Sequence, residues 1–502
     1  MRNFYKLRSF AFIFASSLSF SSELPSDALQ FLEKIPGKSI SPDFVLHRAI
    51  KSSSSFRSIL LQLPLASLPQ KEVEAAYDTL LNSQVSYIHS DAATANPLFP
   101  VIEKSLNAEA SLSKKLKSGT AFTAKYEWGN PRFSSGGISN YHEHSWSLEA
   151  AQDLWKNSFG KLSQSEFDFA QRSEKAAQWQ VAAAAEQWVL GIVALFYEAW
   201  TMQKSVKSAK GDWKRKKTLA WITRKKFNRG TAEEPEKLQI ESSALASEGI
   251  YITKKQGLIS IWQNLVISLQ LPREWMQIDP EIIPMSIPEN LEKSFCEAKK
   301  APIESALLKA KEYENKKLKD SLSLARSEAK PELSAFAQLA ANGIDSQYFD
   351  SLVDSFSFQN PSLLIGLRLQ MPLGFLGNKT KIMAATIQEK ISETATLLER
   401  EQLEVKKENT CSEFSAIDQN VQLLEKALKK QKRRNYLETK RFQNGTTSML
   451  NVIQSSDDAA RVELSLSQIQ AQQQLAFWQL KSLKGEILTK IKTELSAMGV
   501  DL

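Results

Sequence analysis

The sequence predicts a mainly α-helical protein that also carries membrane β-strands, arranged as two copies of one unit. Three observations lead there. The chain resembles itself at a fixed offset, each copy holds a very long helix-compatible run broken at a glycine, and alternating apolar–polar segments precede each run.

The offset is read around two glycines. One reads Lys226-Phe227-Asn228-Arg229-Gly230-Thr231 with Leu238-Gln239 following, the other Arg441-Phe442-Gln443-Asn444-Gly445-Thr446 with Ile453-Gln454 following. The separation is 445 − 230 = 215 residues. It also pairs Glu198 with Glu413, and Lys214, Arg215 and Lys217 with Lys429, Lys430 and Lys432.

Residues from about Leu162 to Phe227 and from Ala384 to Phe442 are rich in Ala, Leu, Glu, Lys and Gln and hold no proline. Both runs favour helix. The segments after the glycines, Glu236–Leu269 and Met449–Leu488, share that composition. A glycine between two such runs predicts a helical hairpin turning through positive φ. A helix of ~60 residues is roughly 90 Å long, so each rod needs partners along its length.

Ahead of the first rod, Ala121–Trp128 and Ser145–Ala150 alternate apolar and polar residues around a Gly-, Ser- and Asn-rich loop, Gly129–Glu143. The predicted strand pair spans about residues 110–152. In the second half Leu363, Ile365, Leu367, Leu369 and Met371 make one apolar face, with Gly366, Arg368 and Gln370 on the other. A partner strand starting near Leu333 and a polar loop, about Asn342–Pro361, complete a pair over about 331–372. Period-two alternation twice per half predicts barrel strands with one face to lipid and one to water, Arg368 and Gln370 facing the lumen. Short helices, Asp43–Lys51 and Leu291–Lys299, precede the strands. The organisation is therefore a first repeat over 22–271, a Pro-rich connector over 272–290, a second repeat over 291–488 and a tail over 489–502.

The first residues address the chain. Arg2, Lys6 and Arg8, an apolar run from Phe10 to Phe20 and small residues at Ser19, Ser21 and Ser22 predict a secretory signal peptide, residues 1–21. With 64 Lys and Arg against 56 Asp and Glu, the balance is only mildly basic and does not require nucleic acid as a partner. Cys296 and Cys411 are too few and too distant for a disulfide scaffold; a bridge between them stays open as the alternative, and the expectation is that both pack as small apolar residues. The most apolar stretch, Val181–Tyr197, is interrupted by Glu186 and Gln187, so transmembrane helices are not expected.

At this point the pattern resembles the TolC-like family of outer-membrane efflux proteins. Three features carry the likeness: Ala325-Arg326-Ser327-Glu328-Ala329-Lys330-Pro331-Glu332-Leu333-Ser334, the passage Gly366-Leu367-Arg368-Leu369-Gln370-Met371-Pro372-Leu373, and the two Gly-centred turns. It runs from about Pro42 to Leu488. In the first half Gln152-Asp153-Leu154-Trp155 stands where family members often have Gln-Pro-Leu, so Pro372 has no counterpart there.

The resemblance implies a homotrimer whose four strands per subunit build one 12-stranded outer-membrane barrel, continued by an α-helical tunnel into the periplasm. It implies a passive exit channel serving a tripartite efflux or type I secretion system, with a periplasmic adaptor, an inner-membrane pump and outer-membrane lipid as partners and no cofactor. Family members often close the tunnel with two acidic residues on the helix after the second tip. The matching positions are Asn451 and Gln454, with Asp457 and Asp458 about one turn further on.

Other features have plainer readings. His142-Glu143-His144 lacks a third ligand and reads as a solvated loop rather than a metal site. The basic runs Lys214–Lys217 and Lys429–Arg434 read as solvated helix faces, although their repetition near both tips favours an acidic partner more than usual. Trp179, Trp188, Trp200, Trp213 and Trp221 on one rod read as packing residues. With no defensible catalytic constellation, the chain is not expected to be an enzyme. The alternative is a periplasmic adaptor or structural coiled-coil protein, which also carries long hairpins.

Overall fold

The computed structural model describes residues 39–90, 102–133, 140–277, 281–287, 295–296, 303–357 and 360–499. The expected signal peptide and most of the expected helix Leu291–Lys299 lie outside them.

Two helical hairpins dominate. Helix α1 (Lys161–Asn228) has 68 residues and returns as α2 (Glu234–Ser268) with 35. In the second half α5 (Leu376–Gln443) and α6 (Met449–Leu483) have the same two lengths. Every boundary shifts by one number: 376 − 161, 443 − 228, 449 − 234 and 483 − 268 all equal 215. Left-handed backbone brackets both hairpins, at Gly160 and Phe375 before the long helices and at Gln270 and Gly485 after the short ones. The second return helix therefore stops five residues before the predicted Leu488. Positive φ at Gly485 breaks it, and a separate helix, Glu486–Ser496, follows.

The hairpins lie side by side in the order α2–α1–α6–α5, and α3 (Ala306–Glu328) packs against α1 and α5 nearer the sheet. The main core sits at the waist. Tyr197, Phe196, Phe477 and Leu480 are enclosed together with Leu46 and Phe56 from short N-terminal helices. Burying such a side chain contributes ~1.5–3 kcal/mol. Tyr197 donates to Gln474 Oε1 at 2.9 Å and Gln474 Nε2 donates to the Met285 carbonyl at 2.8 Å, whereas the Trp200 and Trp478 indole N–H groups are buried without a partner. The apolar part of α1 is long enough to cross a membrane, and 44% of that stretch is buried inside the protein. Val189, Val193 and Phe196 place it in the waist core.

Apart from a short parallel pairing of Ser39–Ile40 with Glu281–Ile282, the described strands form one antiparallel sheet. Its members are β1 (Thr79–His89), β2 (Ile102–Lys115), β3 (Thr120–Phe133), β4 (His142–Asp153), β5 (Glu332–Asp345) and β6 (Pro361–Gln370), hydrogen-bonded in chain order. The expectation of two strand pairs, four strands per chain, is corrected to six in this sheet among the described residues. The missed hairpin, β1–β2, alternates through Leu81, Val85 and Tyr87, but serines and small residues such as Ser83, Ala108 and Ala110 dilute the pattern. A strand one face of which carries small side chains shows little periodicity, although backbone pairing is complete.

Two loops are also corrected. The polar loop Asn342–Pro361 holds the end of β5 and a helix, α4 (Tyr348–Phe356). His142 and His144 begin β4 instead of lying in a solvated loop, and His144 is fully buried with Nδ1 2.7 Å from the Tyr126 hydroxyl. A neighbouring helix covers them, which a linear pattern does not reveal. Among the described residues no group of three metal-ligating side chains forms there.

The cysteines are corrected as well. Cys296 and Cys411 form a disulfide across 115 residues, their Cα atoms 5.7 Å apart. Only the fold brings Cys296 against the middle of α5, so sequence distance concealed the pair.

Candidate functional site

The two tips are built alike. Gly230 and Gly445 have φ of 74° and 76°. At the first tip the Gly230 N–H bonds to the Phe227 carbonyl and Thr231 N–H to that of Lys226, at 2.8 and 3.0 Å. At the second the Gly445 and Thr446 N–H groups bond to Phe442 and Arg441 at 3.0 and 2.9 Å. These are two copies of one helix stop in which glycine supplies the left-handed residue. Leu219, Ile240, Phe442, Met449, Val452 and Ile453 bury one cluster between the tips, which packs the two hairpin ends against each other.

Just above this cluster the four residues named for a gate divide into two pairs. Asn451 and Gln454 are exposed three residues apart on α6, with Asn451 Nδ2 donating to Thr447 Oγ1 at 3.0 Å. Asp457 and Asp458 are instead held by cations. Lys216 Nζ lies 2.6 Å from Asp457 Oδ1 and 2.9 Å from Asp212, and Arg434 Nη1 lies 3.1 Å from Asp458. Burial opposes the charge of Lys216, but its bonds to Asp457 and Asp212 prevail and raise its pKa above the ordinary lysine value. Within the expected solvated basic faces, Lys216, Lys432 and Arg434 thus join helices, Lys432 through Glu463 at 2.7 Å. The rest of the second run, including Lys429, Lys430 and Arg433, stays open on α5.

The sheet has two chemically distinct faces. Residues paired across antiparallel strands share a face, so the register carries one row from Leu81 through Leu112, Ala124 and Leu148 to Leu339 and Leu363. Ile365, Leu367 and Leu369 belong to the same face. The opposite face holds Gln84, Asn107, Glu109, Lys125, Glu149 and Gln338. Lys125 bridges Glu109 and Glu127 on that face at 3.2 and 2.5 Å. Arg368 and Gln370 lie there too, the Arg368 guanidinium 5.1 Å from the Phe336 ring.

Both layers are open at their sides. β1 and β6 are the sheet edges and α2 and α5 the edges of the helical layer. Leu245 and Ile252 on α2, and Ile391 and Leu423 on α5, are 59–70% exposed. Edge strands with unpaired backbone groups and edge helices with bare apolar residues are unfinished surfaces.

No protein-family model matches the chain, and no curated protein matches it by sequence. Solved structures do. The outer membrane protein VceC from Vibrio cholerae superposes with a TM-score of 0.66 at 12% identity, covering 89% of this chain and 95% of that one. The Campylobacter jejuni CmeC outer membrane channel gives 0.68 at 11%, covering 90% and 89%. The Neisseria gonorrhoeae MtrE outer membrane channel, described in its open state, gives 0.61 at 12%, covering 88% of each chain. The likeness runs over nearly the whole length, and the chain has the fold of the TolC-like outer-membrane channels.

Proposed function

We propose that the chain is one subunit of an outer-membrane exit channel, a passive conduit for cargo delivered by an inner-membrane pump through a periplasmic adaptor. One observation carries the reading: a sheet with one apolar and one charged face shares its open sides with a layer of long helices. A lone sheet cannot leave its edges in lipid, so neighbouring copies must join β6 and α5 of one to β1 and α2 of the next. Such a heterologous contact closes into a ring. Three copies would supply 3 × 6 = 18 strands, a number at which barrels leave an aqueous channel. The TolC-like fold and the two-faced sheet support this reading over a periplasmic adaptor or structural coiled coil.

In this assembly Arg368 and Gln370 line the lumen, while Leu367 and its row meet lipid. A charge introduced on the lipid side near the bilayer midplane costs ~2–4 kcal/mol, and one in the lumen far less. Leu367→Lys is expected to lower the yield of outer-membrane oligomer on gels run without heating, and Arg368→Leu to leave it near wild type. Equal tolerance of both would reverse the faces, and a soluble periplasmic monomer in the wild type would remove the channel reading altogether.

The paired tips form the entrance, with Gly230 and Gly445 at the surface offered to the adaptor. Asn451 and Gln454 line its narrowest ring. Amides close by hydrogen bonding without the mutual repulsion of carboxylates, and Asp457 and Asp458 are already neutralised by Lys216 and Arg434. Single-channel conductance should therefore respond weakly to divalent cations added from the periplasmic side. Strong block that survives Asn451→Ala and Gln454→Ala would move the gate elsewhere.

A further inference from the structure

Helix α4 has its polarity reversed. Ser351 and Ser355 are the buried residues, seated on Gly343 so closely that a Cβ there would collide with the Ser351 carbonyl and the Ser355 amide. Phe349, Val353 and Phe356 are left bare, 74%, 66% and 56% exposed. A helix bathed in water turns its apolar side inward. This one rests on the apolar sheet face, beside Tyr126, His144 and Trp146, and Phe356 lies 4.8 Å from Trp146. Beneath Phe356 an apolar groove of about 520 Å³ crosses the strands, with Ala110, Ala124 and Ala341 leaving room between Leu112, Leu148 and Leu339.

We propose that this groove holds one acyl chain of a zwitterionic glycerophospholipid, clamped by α4 against the outside of the barrel. The inference rests on the reading of the apolar face as the lipid face. Three features favour this occupant. The groove is continuous with that face, its lining is almost wholly apolar, and α4 leaves aromatic residues bare. The helix carries Asp350 and Asp354 and no basic residue, which disfavours a multiply phosphorylated headgroup.

The test uses the whole oligomer. The native cysteines are bonded to each other, so an introduced thiol is labelled alone. Leu81→Cys at the groove mouth and Leu367→Cys on the open face carry a bimane fluorophore, in phosphatidylcholine vesicles whose acyl chains are dibrominated. Both labels should be quenched in the vesicles. After extraction into bromine-free detergent, position 81 should stay quenched and position 367 should recover. Ala341→Trp, which fills the groove, and Gly343→Val, which unseats α4, should each abolish the retained quenching without altering quenching in vesicles. No quenching at either position in vesicles would sink the lipid-face reading itself. Equal recovery at both positions, or retention that survives Ala341→Trp, would overturn the groove alone.

Discussion

The two halves of the chain share a skeleton and differ in what they attach to it. Helix lengths, tip turns and left-handed stops repeat at one spacing. Side chains have diverged around them. At the position matching Phe196, fully buried in the waist core, the second half has Cys411, bonded to Cys296 (411 − 215 = 196). The buried Lys216 between Asp212 and Asp457 matches Gln431 in the second half, whose buried amide oxygen has no partner. Backbone signals such as a left-handed residue admit few substitutes, whereas a packed contact is satisfied by many pairs. Duplication therefore preserves the former and lets each half specialise: α1 becomes a core helix and α5 an edge.

The largest effect should come from removing what only the second half has. Replacing Cys296 and Cys411 together by serine frees a loop of more than a hundred residues, worth about 4–5 kcal/mol in the chain-entropy account. Denaturant midpoints of the purified oligomer measure it. A midpoint unchanged from wild type would mean that the helices hold the waist without the bridge.

A smaller and symmetrical effect is expected at the tips. No atom lies within 4 Å of a Cβ built on either glycine, so Gly230→Val and Gly445→Val should each cost only backbone strain, ~1–2 kcal/mol. Both variants should still insert into membranes, with export reduced through weaker docking. Unchanged export in both would take the tips out of the functional surface, and loss in one alone would show that the halves have divided that task.

The smallest effect belongs to the first half. Burial raises the Glu186 carboxyl above the ordinary range, against the opposing Ser482 hydroxyl, which donates at 2.7 Å, and the Lys406 charge. The folded chain thus keeps a proton that the unfolded one releases, so this residue makes stability fall as pH rises from about 4.3 through the raised value. Glu186→Gln keeps the Ser482 bond and should flatten that decline, leaving the variant the more stable at neutral pH. Thermal melts across pH would show it, with Glu401→Gln at the matching exposed position as the control (186 + 215 = 401).

Much of this was legible in the sequence because helix length and turn glycines leave strong periodic traces. The rods, both tips and the register of Leu367 against Arg368 follow from composition and alternation. What escaped is tertiary. Serine in β1 and alanine and serine in β2 dilute the alternation, so neither advertises a strand. His144 reads as polar until α4 covers it, and Cys411 reads as filler until Cys296 meets it. Asp457 and Asp458 looked like spare carboxylates because Lys216 and Arg434 approach them from other helices.

The two extra strands also bear on how wide each subunit is. Six strands ~4.8 Å apart, tilted by ~40° as in barrels, occupy roughly 38 Å of perimeter. Four helices side by side at 8–10 Å occupy about 32–40 Å. Four strands would take up only ~25 Å and force the wall to taper where sheet meets helix. With six, the sheet and the helical layer of one chain are of nearly even breadth.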